Sequence, residues 1–212
     1  MYIPAVFREE RSEVIEAAMA AHPLAALVTM GSSGLDATHL PLLYYPSEGG
    51  LGVLRGHMAR ANPQWRESAP VGEALAIFGG PQHYVSPSWY PSKKEHGKVV
   101  PTWNYIAVLA RGILTVKDDP TWLLENVSSL TERQEKASES PWRVSDVPSD
   151  FIENMLSAIV GLELKITRLE GKWKMSQNRP VADREGVISA LESLDSTHAR
   201  ETAKLIKAAL RS

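Results

Sequence analysis

Thr102-Trp103-Asn104-Tyr105-Ile106-Ala107-Val108-Leu109-Ala110-Arg111-Gly112-Ile113-Leu114-Thr115-Val116 is the longest strand candidate in the chain. Ile106, Val108, Ala110, Leu114 and Val116 fall on one side of it, as in a strand with one face against a core. Upstream, short apolar or alternating runs follow one another closely. Leu24 to Met30 is closed by Gly31-Ser32-Ser33-Gly34, a hairpin signal. Leu35 to Tyr45, Leu51 to Met58 and Ala74 to Phe78 follow, the last ended by Gly79-Gly80-Pro81. Arg11 to Ala21 reads as a helix, with Val14, Ala18 and Ile15, Met19 at helical spacing. No long helix separates the strands, which argues for an antiparallel sheet or barrel rather than a doubly wound fold.

Beyond about residue 118 the signals turn mostly helical. Asp119-Pro120 starts a helix whose buried stripe is Leu123, Val127 and Leu130. Ser149 is expected to cap another, with Phe151 and Met155 on one face. Val160, Leu162, Leu164 and Ile166 restore the period of two. Glu170-Gly171 is then expected to turn a hairpin into Lys172-Trp173-Lys174-Met175 and close the sheet. Residues from about 183 to 211 make two helices separated near Asp195-Ser196.

With 212 residues, 43% of them hydrophobic and 23% charged, the chain suits a globular protein with a sizeable core. The absence of cysteine excludes disulfides, iron–sulfur clusters and thiol catalysis, and agrees with a cytoplasmic location. No apolar run reaches the ~18 residues of a membrane span, and the early acids Glu9 and Glu10 do not fit a secretory signal. A net charge of −2 argues against a protein whose main work is gripping nucleic acid. Small-molecule chemistry or binding remains.

Three stretches carry more polar and aromatic residues than a plain core needs. Gly56-His57-Met58-Ala59-Arg60-Ala61-Asn62-Pro63-Gln64-Trp65 lies at a strand end. A strand turning into a short helix there would offer free N–H groups to an anion. Arg60 adds a bidentate donor, and His57 and Asn62 add single donors. A helix cap with a surface arginine is the plainer reading. The run Phe78 to Lys93 holds Pro81, Pro87 and Pro91 with His83, Tyr84, Trp89 and Tyr90, a cover for something flat or apolar, or for a barrel end. Val99 to Tyr105 sets the Trp103 indole beside the Asn104 amide. An anion pocket, a ring-rich cover and an amide-bearing strand are what a phosphorylated flat cofactor requires. FMN fits, and composition does not separate it from pyridoxal phosphate or a nucleotide. His83 and His96 make no metal-ligand spacing with nearby acids, so no metal is expected.

The chain resembles the PaiB family of FMN-binding proteins, related to the pyridoxamine-phosphate-oxidase-like split barrels. The matching motifs are Met1-Tyr2-Ile3-Pro4, Thr38-His39-Leu40-Pro41-Leu42, Gly56 to Pro63, Tyr84 to Tyr90, Val100-Pro101-Thr102-Trp103-Asn104-Tyr105 and Lys174-Met175-Ser176-Gln177-Asn178-Arg179. The resemblance implies an α+β protein, mainly β with helices. Its core would be an antiparallel six-stranded split β-barrel, forming a homodimer with FMN in the cleft between subunits. Residues 1–180 would form the FMN-binding domain and 181–212 a helical C-terminal extension. By position, Thr38, His39 and Leu40 lie along the flavin edge, and His57, Ala59, Arg60 and Asn62 hold the phosphate. Thr102, Trp103 and Asn104 approach the ring from the partner subunit, with Gln177 and Arg179 near the rim. The loop Lys93-Lys94-Glu95-His96-Gly97-Lys98 departs from the pattern in carrying few distinctive residues.

The resemblance also implies a negative transcriptional regulator. Direct DNA contact has weak support: Arg200, Lys204, Lys207 and Arg211 share one helical face, but opposite Ala203, Ile206 and Leu210 such a stripe reads as solvated surface. The helices near 183–194 and 197–211 lack the glycine-bearing tight turn of a helix-turn-helix. Two alternatives stand beside it: an FMN-dependent oxidoreductase acting on a small substrate, and a split barrel binding haem or another planar ligand through Tyr84, Trp89 and Trp103. The residues name no catalytic acid or base, and leave open whether the protein is an enzyme.

Overall fold

The computed structural model describes residues 1–67 and 73–211; the side chain of Arg211 lies outside this description. Two glycines set the first hairpin. Strands β2 (Leu24–Gly31) and β3 (Gly34–Pro41) pair antiparallel from Leu24↔Pro41 to Gly31↔Gly34, and Gly34 takes φ +112°, a conformation open to glycine at no steric cost. The run expected from Leu35 to Tyr45 breaks at Leu42, whose N–H donates to the Pro23 carbonyl at 2.9 Å. Only Leu43–Tyr45 resumes, as β4. The remaining strands are β1 (Arg8–Glu9), β5 (Val53–Ala59), β6 (Glu73–Val85), β7 (Thr102–Lys117) and β8 (Ile159–Lys174).

The sheet runs β3-β2-β6-β7-β8-β5-β4, with β1 on β8, and the pairs β1–β8, β2–β3, β2–β6, β4–β5 and β5–β8 are antiparallel. It has eight strands where six were expected; six are seven residues or longer, and β1 and β4 are the short additions. The described strands do not close on themselves. Two expected turns are absent. Strand β6 runs straight through Gly79-Gly80-Pro81, and β8 runs straight through Glu170-Gly171. Gly171 answers a different need: it pairs with Glu9, whose carbonyl oxygen would lie 2.9 Å from any Cβ there. It is a close-approach glycine, not a turn glycine.

The helices are α1 (Ser12–Ala21), α2 (Gln64–Glu67), α3 (Ser92–His96), α4 (Pro120–Glu135), α5 (Ser149–Ser157), α6 (Val181–Glu192) and α7 (Thr197–Arg211). Asp119 caps α4 by accepting from the Trp122 N–H at 2.8 Å, and Pro120 occupies the first turn where its missing N–H costs nothing. Ser149 is not the cap of α5 but its first residue, following Pro148. Its Phe151 and Met155 lie half exposed.

These elements group into two compact units. One comprises Glu16–Phe78 and Leu109–Leu169, around Leu27, Leu54, Leu123, Leu162 and Leu164; the other comprises Met1–Ile15, Gly79–Val108 and Glu170–Ser212, around Tyr90, Met175, Val187, Leu191 and Ile206. The chain passes between them inside β6, β7 and β8. No helix among the described residues is long and apolar enough to cross a membrane.

Candidate functional site

The expected site residues divide cleanly between the two units. Thr38, His39, Leu40, His57, Ala59, Arg60 and Asn62 belong to the first; Thr102, Trp103, Asn104, Gln177 and Arg179 belong to the second.

In the first unit the alternation of β3 turns Thr38 and Leu40 to one face and His39 to the other. His39 is exposed, while Leu40 is buried and offers a ligand only its backbone. Asn62 Nδ2 donates to Thr38 Oγ1 at 2.9 Å, tying the segment after β5 to β3. Arg60 is more heavily engaged than an open phosphate fork. Its Nε donates to the Ser157 carbonyl at 2.8 Å, Nη1 to Asp118 at 3.0 Å, and Nη2 to Asp118 and to the Ile159 carbonyl at 2.9 Å. One Nη1 hydrogen is left for a ligand oxygen. Asp118 holds the guanidinium's pKa up through hydrogen bonding, and its own carboxyl is held below the ordinary range by the same contact. The expected free backbone donors are mostly spent: the N–H groups of Arg60, Asn62, Gln64, Arg66 and Glu67 have acceptors in the chain. An anion here would meet chiefly side-chain donors.

His57 owes its setting to a glycine on the neighbouring strand. It pairs with Gly161, where an added Cβ would sit 2.2 Å from the Trp122 ring. The indole therefore lies flush on the sheet, and one helical turn later Asn126 reaches His57, Nδ2 to Nδ1, at 3.3 Å. Burial holds the His57 pKa below its ordinary 6.5. Nearby, Glu163 takes hydrogen bonds from Arg55 at 2.8 Å and pairs with Lys117 at 3.1 Å. Burial would raise its pKa, but these two cations outweigh it and hold the carboxyl below 4.5.

The two shifts act in different pH windows. Unfolded His57 takes up a proton as pH falls through 6.5 while the buried imidazole resists it, so stability is lost from there downward until the folded form also charges. The stability from Glu163 is complete above 4.5 and is lost as pH falls through its lower folded value. Chemical denaturation across this range is expected to show both losses. His57→Gln should remove the upper one alone; an unchanged profile would show that His57 is not held neutral.

In the second unit, Asn104 is fully buried and exchanges hydrogen bonds with Ser176 at 2.9 and 3.2 Å. Ser176 has φ +61° and turns the chain after β8. Gln177 is folded onto that turn, accepting from the Met175 N–H at 2.7 Å and donating to the Trp173 carbonyl at 2.6 Å. Arg179 lies over the Tyr90 ring at 5.0 Å, and Thr102 Oγ1 accepts from Lys174. Trp103 is 48% exposed. Its Nε1 donates to Gln82 at 3.0 Å, and Tyr84 meets it edge-on with ring centres 6.1 Å apart. Gly79, Gly80, Gln82, Trp103, Tyr105 and Ile106 line a groove of about 460 Å³ beside it. The fixed indole, with polar groups at its edge and open space on it, presents a surface for a flat ring.

Asp118, Asn126, Gln82, Lys174 and Ser176 were not singled out from the sequence. Asp118 and Asn126 sit far along the chain from the residues they hold, and no local spacing links them. Ser176 and Lys174 stand inside a quoted motif, where the pairing of β7 with β8 is the signal that finds them.

The cation, amide and imidazole of the first unit suit a phosphate in kind, and the open indole of the second suits a flat ring. The sheet order with its helices is that of the split-barrel class. Solved structures of that shape include the flavocytochrome Anf3 from Azotobacter vinelandii, with a TM-score of 0.58 at 14% identity over 79% of this chain and 69% of that one. The FAD and heme binding protein from Mycobacterium smegmatis aligns with a TM-score of 0.56 at 16% identity over 78% and 71%. The family model described as "Putative FMN-binding domain" matches residues 1–168. Protease synthase and sporulation protein PAI 2 of Bacillus subtilis is 32% identical over 100% of this chain and 99% of its own. An uncharacterized protein of Emericella nidulans is 35% identical over 98% and 96%. The chain belongs to the PaiB family of FMN-binding proteins, and FMN is its cofactor.

Proposed function

We propose that the protein works in the cytoplasm as a homodimer in which each FMN is shared by two chains, and that it is a flavin-linked transcriptional regulator. Thr38, His39 and Leu40 of one protomer line the flavin edge, and His57, Ala59, Arg60 and Asn62 hold the phosphate. Thr102, Trp103 and Asn104 of the other protomer meet the ring, with Gln177 and Arg179 at the rim. Residues 1–180 are the FMN-binding domain and 181–212 the extension. The observation that carries this reading is Trp103: an indole half open to solvent, hydrogen-bonded in place and facing a groove, offers a flat ring a surface to stack on.

Regulation through the flavin is favoured over direct DNA contact. On α7, Lys207 is paired with Glu192, and Arg200 with Asp195 at 3.4 Å, so the cationic stripe is partly neutralised. Arg211's side chain lies outside the described residues. The name of the Bacillus relative refers to protease synthesis and sporulation. The test is an absorption spectrum after incubation with FMN and gel filtration. Bands near about 370 and 450 nm co-eluting with a dimer are expected. Promoter DNA is then titrated against oxidised and reduced protein. Promoter binding by either state would bring direct DNA contact back, whereas steady oxidation of NADH with turnover of a small acceptor would favour the oxidoreductase over the regulator.

A further inference from the structure

We infer that Asn126 sets the tautomer of His57, so that the imidazole carries its proton on Nε2 and offers that N–H to an oxyanion. This rests on reading His57 as a ligand of the FMN phosphate. The placement comes from packing. Trp122 is seated on Gly161, the cross-strand partner of His57, and this fixes α4 over β5. Asn126 is then 3% exposed with its Nδ2 at 3.3 Å from His57 Nδ1. A ring nitrogen that accepts from an amide must present its lone pair, so a neutral imidazole bears its single hydrogen on the other nitrogen.

Neutrality follows from the surroundings. Arg55 on the same strand is paired with Glu163 at 2.8 Å and with Glu48 at 2.6 Å, and Lys117 is paired with Glu163 at 3.1 Å. Burial alone moves His57, and it disfavours the imidazolium. A neutral imidazole can donate through one nitrogen only. Without a partner at Nδ1 the two tautomers would compete, and the fraction with Nδ1–H would turn a lone pair toward the phosphate. Asn126 is buried against His57; it is a positioning residue that acts through His57. Among the described residues its Oδ1 has no hydrogen-bond partner, and its Nδ2 meets His57.

The experiment is long-range proton–nitrogen NMR of ¹⁵N-labelled protein, with the His57 ring signals assigned by their loss in His57→Gln. The wild type is expected to show a protonated Nε2 and a bare Nδ1 at neutral pH. Asn126→Asp puts an acceptor at Nδ1, and should move the proton there and raise the His57 titration midpoint. FMN affinity is measured on the same proteins, and His57→Gln should weaken it about tenfold, the loss of one hydrogen bond. A wild-type His57 protonated on Nδ1, or an Asn126→Asp spectrum identical to wild type, would overturn the inference even if His57→Gln weakens FMN. Unchanged FMN affinity in His57→Gln would overturn the phosphate reading instead, leaving the tautomer assignment intact.

Discussion

Arg60→Ala is expected to abolish retention of FMN through gel filtration and to weaken its binding by about two orders of magnitude, the scale of losing a charge-assisted contact together with the geometry around it. The loss has two sources. One Nη1 hydrogen is available to the phosphate. The other bonds hold the chain after β5 to the start of β8, through the carbonyls of Ser157 and Ile159 and through Asp118. Alanine removes both at once, and the segment carrying Asn62 keeps only the Asn62–Thr38 bond and its backbone contacts. Lysine should not rescue it, since a point charge cannot engage two carbonyls and a carboxylate in one plane. Riboflavin, which lacks the phosphate, separates this from general damage. Wild type is expected to prefer FMN to riboflavin strongly, and the variant to bind both alike. Flavin content equal to wild type would remove Arg60 from the phosphate site. A fall in riboflavin affinity as large as that for FMN would assign it a purely structural role.

How far the sequence shows this depends on the distance over which a residue acts. The period of two in Val160, Leu162, Leu164 and Ile166 needs no partner to be read, and all four are buried. The hairpin at Gly31 to Gly34 is equally local, because a tight turn's demand for positive φ is satisfied within the turn. Gly79-Gly80-Pro81 and Glu170-Gly171 have the same composition as turns, yet lie inside strands. What distinguishes Gly171 is Glu9, far away in the chain and close in space. The site divides along the same line. Arg60, His57 and Asn62 announce themselves by residue type within one short motif. Asp118, which takes two of the hydrogens Arg60 can donate, and Asn126, which contacts His57, are ordinary residues until the helix and sheet are packed. Trp103 is visible as an aromatic near an amide, but whether its plane is covered or open is decided only by tertiary structure. It is open.

Two chains that each fail to hold FMN are expected to hold it when mixed. Trp103→Ala removes the exposed indole and, with it, the ring contact; Arg60→Ala removes the phosphate contact. Each homodimer then has a defect in both of its sites. If each FMN lies between one protomer's Thr38–His57–Arg60–Asn62 cluster and the other protomer's Trp103, a mixed dimer contains one doubly defective site and one wholly intact site. Unfolding and refolding the two variants together gives about half mixed dimers, so about a quarter of all sites should recover wild-type affinity, set by the symmetry of a two-fold interface. If instead FMN were bound within one protomer, every site in the mixture would keep one defect and nothing would recover. The readout is flavin absorbance co-eluting with the dimer, compared with each variant refolded alone. Recovery near a quarter establishes the shared site. No recovery from a mixture that elutes as a dimer places both halves of the site in one chain, and elution as a monomer rejects the homodimer itself.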